Sequence, residues 1–227
     1  TLPFDFSDHD FQLKPPNEGK LLEIYRELEF GQLIKEMSPP KTDSIRQNYQ
    51  LILSNRALEN LVEELTNSEG FALDTETTSK DPMLASLVGL SFSRQEGTGF
   101  YLPIGHSYPD VPEQLDKTEV LKKLKPILEN DQVPKYGQNI KYDIIMLNSE
   151  GIELKGLAFD TMIASYLLNP SKRNHNLEDI ALENLNYHKT TYHEVVGKGK
   201  KEINFREVPL EAARDYSAED ADITYRL

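Results

Sequence analysis

Three short apolar runs, residues 71–73, 87–92 and 100–103, follow one another with turn-forming residues between them. Runs this short suit strands, whereas helices need roughly 10 residues or more of 3.6-residue periodicity. The spacing predicts an antiparallel meander. Helical patterns take over afterwards, at residues 118–128 and then from Tyr142, Thr161, Asn176 and Leu210, with one more strand expected at residues 133–136. Strands first and helices interleaved later imply an α/β fold, a mixed sheet with helices packed on it.

Upstream, Pro3, Pro15 and Pro16 lie among polar and acidic residues, and residues 1–17 read as a linker. Residues 18–37 carry Leu21, Ile24, Tyr25 and Leu28, then Phe30, Leu33 and Ile34, at helical spacing, with a break expected at Gly31 and a stop at Pro39 and Pro40. A short extended stretch at residues 49–53 leads to Ser54, a suitable N-cap for the helix of Leu58, Leu61, Val62 and Leu65. These readings give a linker and helix over residues 1–43 and a compact domain over 44–227. The last helical pattern reaches Leu227 with no stop signal, as expected of a chain cut from a longer one.

The chain has no cysteine, so disulfides, thiolate metal sites and thiol nucleophiles are excluded. Its 5 histidines form no paired helical spacing. Any metal would therefore fall to carboxylates, which suit hard cations such as magnesium or manganese. A formal net charge of −13 argues against nucleic-acid binding by the surface as a whole. It leaves room for a nuclease that reaches phosphate through a metal. No apolar run approaches the roughly 18 residues of a membrane helix, and the N-terminus lacks the order of a signal peptide, so a cytosolic protein without a membrane partner is expected.

The acids are ordered. Asp74-Thr75-Glu76 follows the apolar run at 71–73, and residues two apart on a strand face the same side, so two carboxylates project together. Like charges held that close call for a cation, although an isolated Asp-x-Glu is also what a solvated acidic turn looks like. Gln138-Asn139-Ile140-Lys141-Tyr142-Asp143 follows the strand at 133–136; Asn139 is expected to cap a helix whose first turn carries Asp143, as a buried ligand or as an exposed carboxylate suited to the helix dipole. On the final helix Tyr216 and Asp220 are four apart and share a face, whereas Asp222 points elsewhere. Asp160 is read as an N-cap, and Asp179 and Asp222 as structural or solvated.

In this order and setting, the three segments resemble the three motifs of the DEDD exonuclease family, in the variant with a tyrosine in the third. Residues 71–77, 87–92, 137–143, 159–162, 197–200 and 218–224 are similar to the proofreading domain of bacterial DNA polymerase I, and residues 27–30 are similar to the segment joining its 5′-nuclease to that domain. The resemblance implies a ribonuclease H-like fold and a 3′-5′ exonuclease. It would use two divalent ions, Mg2+ or Mn2+, to hydrolyse the last phosphodiester of a single-stranded or frayed DNA end and release nucleoside 5′-monophosphates. Asp74 would bridge the ions, Glu76 and Asp220 would complete the site that binds the attacking water, Asp143 would serve the second ion, and Tyr216 would aim the water.

The resemblance also points to Thr77, Asn139, Tyr142, Tyr192, His175 and Lys198 as DNA contacts, with Asn174, Lys200 and Lys201 nearby. Tyr192 would stack on a terminal base; as residues alone, Tyr192, His175 and Lys198 read equally as a half-buried tyrosine, a capping imidazole and a solvated basic loop. The chain departs from the family at Lys80, where an apolar wedge is usual; Met83 and Leu84 are the nearby apolar candidates. The implied parent is a monomeric bacterial cytoplasmic polymerase, associated with the nucleoid, with polymerase and 5′-nuclease domains on the same chain. Two rivals remain: an RNA 3′-exonuclease similar to ribonuclease D, and a catalytically silent DNA-binding scaffold.

Overall fold

The computed structural model describes Gln12, Leu13, residues 15–28, Phe30, Leu33, Ile34, Met37 and residues 48–227. The chain divides into two units, Thr1–Thr42 and Asp43–Leu227. In the first, α1 (Glu18–Glu27) starts at Asn17, whose side chain accepts from the Lys20 N–H at 3.1 Å. The helix expected to run on past Leu28 stops there, and Leu33, Ile34 and Met37 are again helical. α1 buries no residue. Gly31, Pro39 and Pro40, with most of the expected linker, fall outside the described residues.

In the second unit, β1 (Asn48–Leu51), β2 (Phe71–Thr77), β3 (Leu87–Ser93), β4 (Thr98–Pro103), β5 (Lys135–Gly137) and β6 (Leu157–Asp160) form one sheet in the order β1-β4-β3-β2-β5-β6. β2, β3 and β4 pair antiparallel, giving the expected meander; β1 joins β4, β5 joins β2 and β6 joins β5, all parallel. The strand expected at 133–136 begins at Lys135 because Pro134 has no N–H to give a ladder; its carbonyl still accepts from Phe71 at 3.0 Å. β6 was not expected. It is a four-residue edge strand exposed along most of its length, and it carries no alternation to read.

Helices α2 (Asn55–Thr66), α3 (Lys117–Leu128) and α4 (Lys141–Ser149) cover one face. Leu58, Leu61 and Leu65 of α2 and Val120, Leu124 and Leu128 of α3 meet Phe71, Leu73, Leu90 and Phe92 of the sheet. Full burial of each such side chain contributes roughly 1.5–3 kcal/mol. Three shorter helices follow, α5 (Thr161–Leu168), α6 (Leu177–Leu185) and α7 (Tyr192–Val196). The last, α8 (Leu210–Arg226), crosses the other face over β1 to β5, so β3 is buried at every residue. The fit is close: a Cβ on Gly99 of β4 would stand 2.7 Å from the Ala218 carbonyl oxygen of α8. Asp222 fastens α8 further, accepting from the Tyr49 hydroxyl at 2.9 Å and the Gly97 N–H at 2.8 Å.

Candidate active site

Alternation along β2 sends Phe71 and Leu73 into the core beneath α2 and α3, and Asp74 and Glu76 toward the opposite side, where α8 lies. Glu76, only 6% exposed, accepts from the Ser217 hydroxyl of α8 at 2.7 Å. The pairing of β2 with β3 skips one residue, Val88, opposite Glu76 and Thr77. Such a bulge bends a strand and re-aims the side chains at its end.

Asp143 arrives from α4, one turn in. β5 pairs with β2 only at Phe71 and Ala72, and beyond that point the Thr75 N–H donates to Asp143 Oδ1 at 2.9 Å while the Thr75 hydroxyl donates to the same oxygen at 2.6 Å. Asp143 is 2% exposed, which removes the alternative of a solvated first-turn acid. The expected Asn139 cap is not formed. Asn139 adopts φ 57°, a left-handed conformation that asparagine tolerates, and α4 starts after Ile140 without a side-chain cap. Asp160 does the work instead. It accepts from the N–H groups of Asn139 (3.2 Å) and Ile140 (3.0 Å) before α4, and from those of Met162 (2.9 Å) and Ile163 (3.1 Å) at the start of α5.

Tyr216 and Asp220 come from one face of α8, as their spacing predicts. Beside them stands a residue that carries no signal in the sequence. Lys189, in the segment between α6 and α7, forms an ion pair with Asp220 and sets its ammonium 4.3 Å from the centroid of the Tyr216 ring.

The four acids share one electrostatic environment. Burial first, then Asp143, pushes the Asp74 carboxyl well above the usual range; burial, then Asp74 and Asp220, does the same to Glu76. Burial raises Asp143 to about 7 against the pull of Thr75, and burial raises Asp220 to about 8 against the pull of Lys189. Burial, Asp220, Glu76 and Asp74 raise the Tyr216 phenol, so it is a neutral hydroxyl that can orient a water but not a phenolate.

Beside Glu76 and Tyr216 opens a cleft of about 320 Å³, lined by Thr75, Glu76, Thr77, Ser79, Lys80, Asn139, Tyr142, Tyr192 and Tyr216; Asp74, Asp143 and Asp220 are not among its lining residues. Of the sequence candidates it thus gathers Glu76, Thr77, Asn139, Tyr142, Tyr192 and Tyr216. Tyr142 is held by Thr77 and donates to the Ser79 carbonyl oxygen. Tyr192, from α7, stacks on Phe205 at 6.3 Å and meets Tyr216 edge-on at 6.2 Å, an aromatic wall in which Phe205 was not anticipated. Lys80 places its ammonium 5.9 Å from the Tyr192 ring, while Met83 and Leu84 stand largely in solvent. His175 and Lys198 do not line the cleft. His175 is bound to Ser165 of α5 at 2.9 Å and Lys198 precedes a single 3-10 turn, Gly199–Lys201.

Among the described residues, no set of three or more His, Asp or Glu side chains stands ready-formed as a coordination shell. The donor chemistry nonetheless fits a hard divalent cation. Glu76 and Asp143 are buried and Asp74 and Asp220 half-buried, and desolvation with mutual repulsion raises the pKa of these carboxyls, with the Lys189 ammonium beside Asp220 to offset it. A divalent ion would relieve both conditions.

A six-stranded mixed sheet in this order, flanked by helices, is a ribonuclease H-like α/β fold. Residues 49–227 match the sequence model of a family described as 3′-5′ exonuclease, and the chain belongs to that family, the exonuclease domain of bacterial DNA polymerase I. It is 38% identical over 225 residues to DNA polymerase I of Pseudomonas aeruginosa, covering 93% of this chain and 25% of that one. It is 41% identical over 173 residues to DNA polymerase I of Chloroflexus aurantiacus, covering 75% and 18%. The chain thus spans a quarter or less of either polymerase. RNase D of Escherichia coli, an exoribonuclease involved in structured RNA processing, aligns with a TM-score of 0.57 and 20% identity over 78% of this chain and 42% of that one, a likeness of fold alone.

Proposed function

We propose that this domain shortens a DNA strand from its 3′ end, releasing nucleoside 5′-monophosphates, and that it proofreads within a longer polymerase. The reading is supported by the mutual electrostatic influence of Asp74, Glu76, Asp143 and Asp220 beside Tyr216, with Glu76 and Tyr216 lining the cleft. Two divalent ions held by these carboxylates would supply a hydroxide at neutral pH and a partner for the leaving 3′-oxygen. Tyr216 orients the attacking water through its neutral hydroxyl, and Ser217 and Thr75 fix the rotamers of Glu76 and Asp143.

Tyr192 offers its face to the terminal base, a stack worth about 1–3 kcal/mol. Thr77, Asn139 and Tyr142 line the path of the strand, and Lys198 and His175 would meet it further out. Residues 1–43 serve as linker and helix and 44–227 as the nuclease, in a monomeric bacterial cytoplasmic parent whose polymerase and 5′-nuclease domains share the chain. No helix among the described residues is long and apolar enough to cross a membrane.

The test is degradation of a 5′-labelled single-stranded DNA with and without Mn2+, beside Asp74→Ala and a matched RNA. Stepwise shortening that needs metal and vanishes in the variant is expected. Degradation by Asp74→Ala at the parent rate would refute the site, and a marked preference for RNA would refute the substrate.

A further inference from the structure

Lys189 is an unusual residue to bury. Its side chain is 1% exposed, and a lysine is almost never sealed from water unless it is paired. Here the ammonium pairs with Asp220, donates to the Thr190 carbonyl oxygen at 2.8 Å and faces the Tyr216 ring. Its delivery is built in. Glu219, next to Asp220 on α8, accepts from the Tyr187 hydroxyl at 2.6 Å and from the Thr190 N–H at 2.8 Å, so one carboxylate fastens the Lys189 segment on both sides. The lysine charge is felt by Asp74 and Glu76 as well as by Asp220.

The Lys189 ammonium sits on Asp220 Oδ1, and an ammonium and a divalent ion brought to the same carboxylate oxygen repel each other far more strongly in a site shielded from water than in water itself. We propose that Lys189 is the resident counter-cation of the carboxylate site: it holds Asp220 in the metal-free protein and yields that carboxylate to a divalent ion, so metal affinity is set by competition with its ammonium. This rests on the reading of the cluster as a metal site. The opposing case is a strut, in which Lys189 merely positions Asp220 and its loss weakens metal binding.

The two cases differ in sign. Mn2+ binding is measured by electron paramagnetic resonance on the parent, Lys189→Met, Lys189→Gln and Lys189→Arg, with melting temperatures recorded in EDTA. The neutral variants are expected to bind Mn2+ about tenfold tighter or more while melting lower in EDTA, and Lys189→Arg is expected to stay near the parent. Neutral variants that remain folded yet bind Mn2+ equally or more weakly would overturn the proposal. Should they fail to fold in EDTA, the parent itself decides. With lysine labelled at Cε, saturating Mg2+ is expected to shift the Lys189 resonance, and an unmoved resonance would overturn the competition while leaving the metal site standing. A parent that binds no Mn2+ would sink the metal reading together with this one.

Discussion

Asp160→Ala removes one carboxylate that ends four backbone N–H groups at the starts of two helices, at 2.9–3.2 Å. Loss of an N-cap acceptor typically costs about 1 kcal/mol and up to roughly 2. Because the same side chain serves α5 directly and the turn before α4 by long-range bonds, the two losses should sum to about 2–3 kcal/mol. For a domain of this size that corresponds to a fall in melting temperature of roughly 5–10 °C. Urea denaturation measures it, with the midpoint moving and the slope constant. Asp160→Asn keeps one acceptor oxygen and should lose about half as much. Exonuclease activity per folded molecule should also drop, since the turn that aims Asp143 loosens. A loss in Asp160→Ala below about 0.5 kcal/mol would refute the double-cap account.

Gly99→Ala would set a Cβ 2.8 Å from that of Ala218, so α8 must shift; a cost of about 1–3 kcal/mol and weaker Mn2+ binding are expected, and an unchanged urea midpoint would contradict the close fit. Thr75→Val removes the 2.6 Å bond to Asp143 but keeps the N–H; single-turnover cleavage should slow several-fold with about 1 kcal/mol lost, and an unaltered rate would deny Asp143 its need for that hydroxyl. Asp143 and Asp220 carry folded pKa values of about 7 and 8, above the ordinary carboxylate value, so the metal-free fold holds protons that the unfolded chain releases. The stability that these two groups contribute is full below about pH 4 and is lost as pH rises toward 8. Calorimetry in EDTA should show this fall, and a melting temperature that climbs across the interval would contradict it.

What the sequence made legible was local. The meander could be read from three apolar runs, and the placing of Asp74 with Glu76, or of Tyr216 with Asp220, follows from strand and helix periodicity alone. Asn139 misled because an asparagine before a helix has two uses. The deciding partner, Asp160, lies about twenty residues on and was readable only as the cap of its own helix. Lys189 was invisible for a similar reason: a lysine in a connecting segment reads as solvated, and its burial comes from Glu219, thirty residues away on another element. β6 is too short and too exposed to carry a pattern.

On the proposed reading, Asp74, Glu76, Asp143 and Asp220, far apart in the chain, gather beside Tyr216 to hold divalent cations. Anomalous diffraction from a crystal soaked in Mn2+ locates such ions. Peaks are predicted within coordinating distance of Asp74 and Asp220 carboxylate oxygens, with the Lys189 ammonium withdrawn from Asp220. Manganese bound elsewhere on the domain, with these carboxylates left bare, would contradict the account.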